Sequence, residues 1–151
     1  MKRFTFRLNP LLMLREIKEG EAARELRDAL GAQQKLEVAL NVAQGVAESA
    51  RAKLENTEGR SIGALDFAAA LADFDRKLAV ERSAGESLRK QGEKVEAARR
   101  VWEQAVLELK TVGKLREKAA NAHQREVSRK EQIQLDEVGM RFPKTIMSTQ
   151  S

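Results

Sequence analysis

The sequence offers few residues that could do covalent or acid–base chemistry. It has one histidine, His123, and no cysteine, so thiolate nucleophiles, disulfides and thiolate-held zinc are excluded. His123 follows Ala119 and Ala120 on an apolar line and has no second His or Cys with which to share a metal. It reads as a seam or boundary histidine, not a ligand or general base. The carboxylates are spread along helical faces beside basic neighbours, as solvated surface groups are. A glycine-rich phosphate loop, a Walker-type lysine and a nucleophile elbow are all missing. The expectation is a protein that is not an enzyme, with no catalytic residue, no cofactor, no metal and no small-molecule substrate.

What remains is charge. The chain carries 28 Lys and Arg against 23 Asp and Glu, a net +5. Its placement is uneven. The first ten residues hold Lys2, Arg3 and Arg7 with no acid. Residues 110–130 hold seven bases (Lys110, Lys114, Arg116, Lys118, Arg125, Arg129, Lys130) against Glu117 and Glu126. Such a stripe attracts acidic protein surfaces, nucleic acid or anionic lipid, unless it is simply a solvated helix face. Arg3, Arg7, Lys114, Arg116, Lys118, Arg125, Arg129 and Lys130 are the candidate partner contacts. Nucleic acid is disfavoured, because no aromatic stacking residues are interleaved and no binding motif is present.

The elements that position these residues can be read from composition and spacing. Charged residues make up 34% of the 151, aromatics 4%, and only two prolines occur. Ala, Glu, Lys, Leu and Arg dominate, as in long helices and coiled coils. The start at Met1–Leu14 briefly mimics a leader peptide, but Arg7, Asn9 and Pro10 interrupt it and no small-residue cleavage site comes after. No run approaches a membrane span of ~18 apolar residues. A cytoplasmic location is expected.

Asn9-Pro10 reads as a helix start, with an N-cap side chain and a proline in the first turn. From there a line of alternating fours and threes runs Leu8, Leu12, Arg15, Glu19, Ala22, Leu26, Ala29, Gln33, Leu36, Leu40, Ala43, Ala47, Ala50, Leu54. Sustained so long, it is an a/d seam. Asn56–Gly63 breaks the pattern, and Ser61 or Asp66 can cap the second helix. The second line runs Phe67, Leu71, Phe74, Leu78, Glu81, Gly85, Leu88, Gly92, Val95. It slips phase there and resumes as Ala98, Trp102, Ala105, Leu109, Val112, Arg116, Ala119, His123.

The fold class is all-α: an antiparallel two-helix coiled-coil hairpin, an extended rod whose second helix is the longer. The expected single domain spans 1–143, with a helix at 10–55, a turn at 56–65, a helix at 66–142 and a disordered tail at 144–151. A turn centred near residue 61 makes partner numbers sum to about 122. That places Leu12 opposite Leu109, Trp102 near Gly20, and the Ala43–Ala47–Ala50 stripe opposite Ala72 and Ala79. Beyond about Leu115 the second helix has no internal partner, on this reading.

Both ends resemble one family. Phe4-Thr-Phe-Arg-Leu-Asn-Pro-Leu-Leu-Met-Leu-Arg-Glu16 resembles the F-x-F-x-L-x-x-L-L-x-x-R-E opening of the FliJ family of flagellar export proteins and its injectisome counterparts, and Glu21-Ala-Ala-Arg24 resembles its continuation. Lys114-Leu-Arg-Glu-Lys118 and Arg129-Lys-Glu-Gln-Ile-Gln-Leu-Asp-Glu137 resemble its K-L-[KR]-E-K and E-Q-K-x-L-D-E segments, with Ile133 in place of a lysine. The resemblance implies a non-enzymatic coiled-coil stalk, similar to that of rotary ATPases. Its paired ends would insert in the hexameric export ATPase and promote ring assembly and activity, which makes the basic residues above ATPase contacts. It also implies contact with the cytoplasmic domain of the export-gate membrane protein, dealings with export chaperones, a monomeric state, and peripheral association with the membrane-embedded apparatus. A basic coiled coil that binds nucleic acid, or one that assembles with its own copies, is the alternative.

Overall fold

The computed structural model describes residues 3–58 and 63–141. It is an all-α helical hairpin of two helices packed on each other, α1 (Asn9–Glu58) and the longer α2 (Ala64–Arg141). The tail at 144–151 and residues 59–62 of the expected turn, Ser61 among them, lie outside the described residues, while 56–58 and 64–65 of that expected turn belong to the helices.

Both starts differ from expectation by a residue or two, for a local reason. At α1 the Leu12 amide donates to the Leu8 carbonyl at 2.9 Å, and Asn9 N–H donates to Phe6 O at 3.1 Å. Leu8 therefore supplies the capping carbonyl, and Pro10 falls second in the first turn, where no backbone donor is needed. At α2 the amides of Asp66 and Phe67 both donate to the Gly63 carbonyl, at 3.1 and 3.2 Å. Asp66 is thus not the cap. It sits within the first turn, where its negative charge opposes the exposed amide dipoles.

The packing divides into two compact units, Glu19–Ala105 and the pair of Met1–Lys18 with Val106–Ser151. In the first, Ala22, Ala43, Ala47, Ala50, Val95 and Ala105 form the buried core, and the remaining seam positions of α1 are half-buried. The polar interruptions of the seam are paired. Trp102 Nε1 donates to Glu19 Oε1 at 3.0 Å, and Gln91 Nε2 donates to the Ala29 carbonyl at 3.1 Å. Leu40 lies against Gly85 and Gln33 against Gly92. These pairs have residue numbers summing to between 120 and 125, around the expected 122.

One part of the register differs. Ala72 and Ala79 are exposed, and Phe74, Leu78 and Glu81 occupy the half-buried seam positions at the level of Ala43, Ala47 and Ala50. One residue along a helix turns a side chain by ~100°, so a small offset exchanges seam for surface. The alanines are nearly buried because larger α2 side chains stand at their level. Nearer the turn the seam is open: Phe67 and Leu71 are 37% and 41% exposed, and Leu65 is 87% exposed.

Candidate partner-binding site

The unit formed by Met1–Lys18 and Val106–Ser151 holds every candidate contact residue. Its centre is a short stretch of helix pair in which Leu12 and Val112 are buried. Arg15 Nη1 donates to Glu108 Oε2 at 2.6 Å, so the seam arginine is neutralised by a carboxylate on the facing helix. The pair is partly exposed, at 27% and 35%, and its contribution is accordingly modest.

Residues 3–8 precede α1 and lie along α2. This corrects the expectation that α2 has no internal partner past Leu115. Burial alternates along the segment: Phe4 and Phe6 are half-buried, while Arg3, Thr5 and Arg7 are exposed. Period-two alternation is the mark of extended chain with one face covered. The Phe4 ring meets the His123 imidazole with centroids 5.5 Å apart and planes tilted by 44°. The extended stretch ends at Phe6, where Arg7 and Leu8 turn into α1 and Asn9 N–H donates to Phe6 O at 3.1 Å. The segment and α2 line one space together.

Between them is an open groove of about 1070 Å³. Phe4, Phe6, Leu115, Ala119, His123 and Val127 give it an apolar floor, and Arg3, Arg7 and Lys130 line it together with Glu126 and Glu131. Two half-buried phenyl rings contribute on the order of 2 kcal/mol. That is about what fixing the backbone of one or two residues costs. The segment is shallowly held.

The eight predicted residues do not form one cluster. Arg3, Arg7 and Lys130 meet at the groove. Lys114, Lys118, Arg125 and Arg129 are spaced by four, seven and four, which aligns them along one exposed face of α2 away from the groove. Arg129 on that face is held by Glu126 at 3.1 Å, whereas Lys114, Lys118 and Arg125 have no ion pair among the described residues. Arg116 is exposed and belongs to neither group. Beyond Lys130 every described residue of α2 is exposed, including Ile133, Leu135, Val138 and Met140. Sequence reasoning missed Phe4, Phe6 and Val127 as site residues. The signal for the first two was the alternation Phe4-x-Phe6-x-Leu8.

In the other unit, Val38, Val42 and Val46 stand exposed at spacing four on α1, at 59%, 61% and 43%. No helix of the described residues is long and apolar enough to cross a membrane. Against known families, the model of the flagellar FliJ protein matches residues 4–144. The chain belongs to the FliJ family. Membership makes it a component of a flagellar-type protein export apparatus, in a family whose role there is non-catalytic. No curated protein and no solved structure matches the chain. The family match takes in both helices and the groove, and of the predicted contacts only Arg3 falls outside it.

Proposed function

We propose that this FliJ-family chain is a coiled-coil stalk that inserts in the hexameric export ATPase and promotes its assembly and activity. On this reading it also links the ATPase to the cytoplasmic domain of the export-gate membrane protein and to export chaperones. It works as a monomer in the cytoplasm, peripheral to the membrane-embedded apparatus, and performs no catalysis itself. The observation that carries the reading is the family match across 4–144. The basic face of α2 supports it. Lys114, Lys118 and Arg125, without ion pairs among the described residues and aligned on one side, supply a field that speeds and orients docking on an acidic or polar sleeve. The exposed Val38, Val42 and Val46 provide apolar surface for the link to the gate.

The test is charge reversal on two faces of the purified chain. Lys114→Glu, Lys118→Glu and Arg125→Glu together should weaken co-purification with the ATPase, most strongly at low salt. Arg51→Glu with Lys53→Glu should not. Arg51 already pairs with Glu55 at 3.2 Å and the pair is exposed, so its loss costs the fold little. Equal effects from both sets would reduce the α2 face to solvated surface. Retarded DNA with a steep salt dependence would favour the nucleic-acid alternative instead.

A further inference from the structure

The seam of α2 repeats itself one heptad on. Phe67 and Phe74, Leu71 and Leu78, Gly85 and Gly92, and Leu88 and Val95 are each seven residues apart. On α1, Ala22 and Ala29 repeat in the same way, as do Ala43 and Ala50. Sliding one helix past the other by a heptad, ~10 Å, therefore exchanges like for like at these positions. The turn resists such a slip weakly. Its centre would move by about half a heptad, into a helix start where Leu65, Phe67 and Leu71 are exposed and bury little.

Two polar pairs do not survive the slip. Trp102 Nε1 donates to Glu19 Oε1 at 3.0 Å. One heptad away Glu19 would meet the buried Val95 or the half-buried Leu109, and its carboxylate would lose its donor. Arg15 Nη1 donates to Glu108 Oε2 at 2.6 Å, and the slip would set Arg15 against Val101 or Leu115. Stability is a poor reason for the second pair. It is partly exposed, and Arg15 Nε is buried with no hydrogen-bond partner. The bond from Gln91 to the Ala29 carbonyl does not discriminate, because every register offers a carbonyl. Register also decides what the N-terminal segment meets. Phe4 lies against His123, and a slip would bring Arg116 or Lys130 to that place.

We infer that Glu19–Trp102 and Arg15–Glu108 are a register lock. They are two polar pairs in a self-repeating apolar seam, and they select one alignment of the hairpin. By doing so they fix which residues of α2 receive the segment at 3–8. The lock operates whatever the chain docks on.

The test is a distance. The chain has no cysteine, so Arg24→Cys with Arg82→Cys, both exposed, puts one spin label on each helix of the full-length chain. Double electron–electron resonance should then return one narrow distance. Arg15→Leu, Glu19→Leu, Trp102→Leu and Glu108→Leu together remove the lock and keep the seam apolar. They should add a second distance displaced by about 8 Å, in about one molecule in ten or more, with the helical circular dichroism retained. Arg15→Lys with Glu19→Gln keeps a charge for Glu108 and an oxygen for the indole, and should keep the single distance. Two distances in the parent, or in this conservative variant, would overturn the lock. So would one unchanged distance in the four-leucine variant, because seam and turn would then suffice. Loss of helix in that variant would make the pairs a source of stability instead of selection, and would overturn it as well.

Discussion

Gly85 and Gly92 stand at half-buried seam positions of α2, deep inside a 78-residue helix. Glycine there costs ~1 kcal/mol relative to alanine through backbone entropy alone. What a methyl would meet decides whether that gain can be collected. A Cβ on Gly85 would lie 4.0 Å from Leu40 Cδ1, and one on Gly92 would lie 3.9 Å from Gln33 Nε2, both ordinary contact distances. Nothing must move. At Gly85 the new methyl also gains an apolar neighbour, which adds at most ~0.8 kcal/mol and about half that at a half-buried site. Gly85→Ala with Gly92→Ala should therefore stabilise the fold by about 2–2.5 kcal/mol, since the sites are well apart and should add. In a chain of this size each kcal/mol moves the midpoint by roughly 2–4 °C. The assay is thermal and urea unfolding monitored by far-ultraviolet circular dichroism. Gly31→Ala serves as the comparison, because its Cβ would meet nothing within 4 Å and it collects only the propensity term. A fall in the midpoint for the double variant would refute the seam geometry at both positions. A gain at Gly85 no larger than at Gly31 would refute the Leu40 contact.

Particular contacts give further tests. A double-mutant cycle on Arg15→Ala and Glu108→Ala should return a coupling of about 0.5–1 kcal/mol in urea unfolding, small because both partners are partly exposed. Zero coupling would mean the pair does not persist in solution. Glu19→Ala removes the acceptor of the Trp102 indole, and should cost on the order of 1 kcal/mol and change the emission of the chain's one tryptophan. An unaltered spectrum would contradict that hydrogen bond. The hydrogen bond from Lys77 holds the Asp73 carboxyl below its ordinary value of 3.8, with the positive charges of Lys77, Arg76 and Lys53 assisting. Its folded-state value is depressed, so its contribution is present above the unfolded pKa and is lost as pH falls through the folded one. Carboxyl titration by NMR should show that depression, and Lys77→Ala should relieve most of it.

Much of the hairpin was readable because a two-helix pair needs one apolar line per helix, and that line repeats at a spacing no other element shares. Every α1 seam position from Leu12 to Leu54 is at least half-buried, the polar Arg15, Glu19 and Gln33 among them. What defeated the reading was direction around the helix and pairing outside it. The opposition of Ala43 to Ala72 and Ala79 failed because an offset of one or two residues swings a side chain off the seam. The count of bases over 110–130 was correct, but a count along the chain does not separate the face of Lys114 and Lys118 from Arg116. The segment at 3–8 was too short for its two-residue alternation to stand out against a heptad. Its partner on α2 is more than a hundred residues away, where local spacing carries no information.

The central claim is that the chain acts by docking on the export ATPase through the basic face of α2. The most direct measurement is ATP hydrolysis by the purified ATPase, titrated with the full-length chain at low ionic strength. The account predicts a saturable rise in hydrolysis that the Lys114→Glu, Lys118→Glu, Arg125→Glu variant loses and the Arg51→Glu, Lys53→Glu variant keeps. Hydrolysis that stays flat with the unmodified chain, or rises equally with both variants, would contradict it.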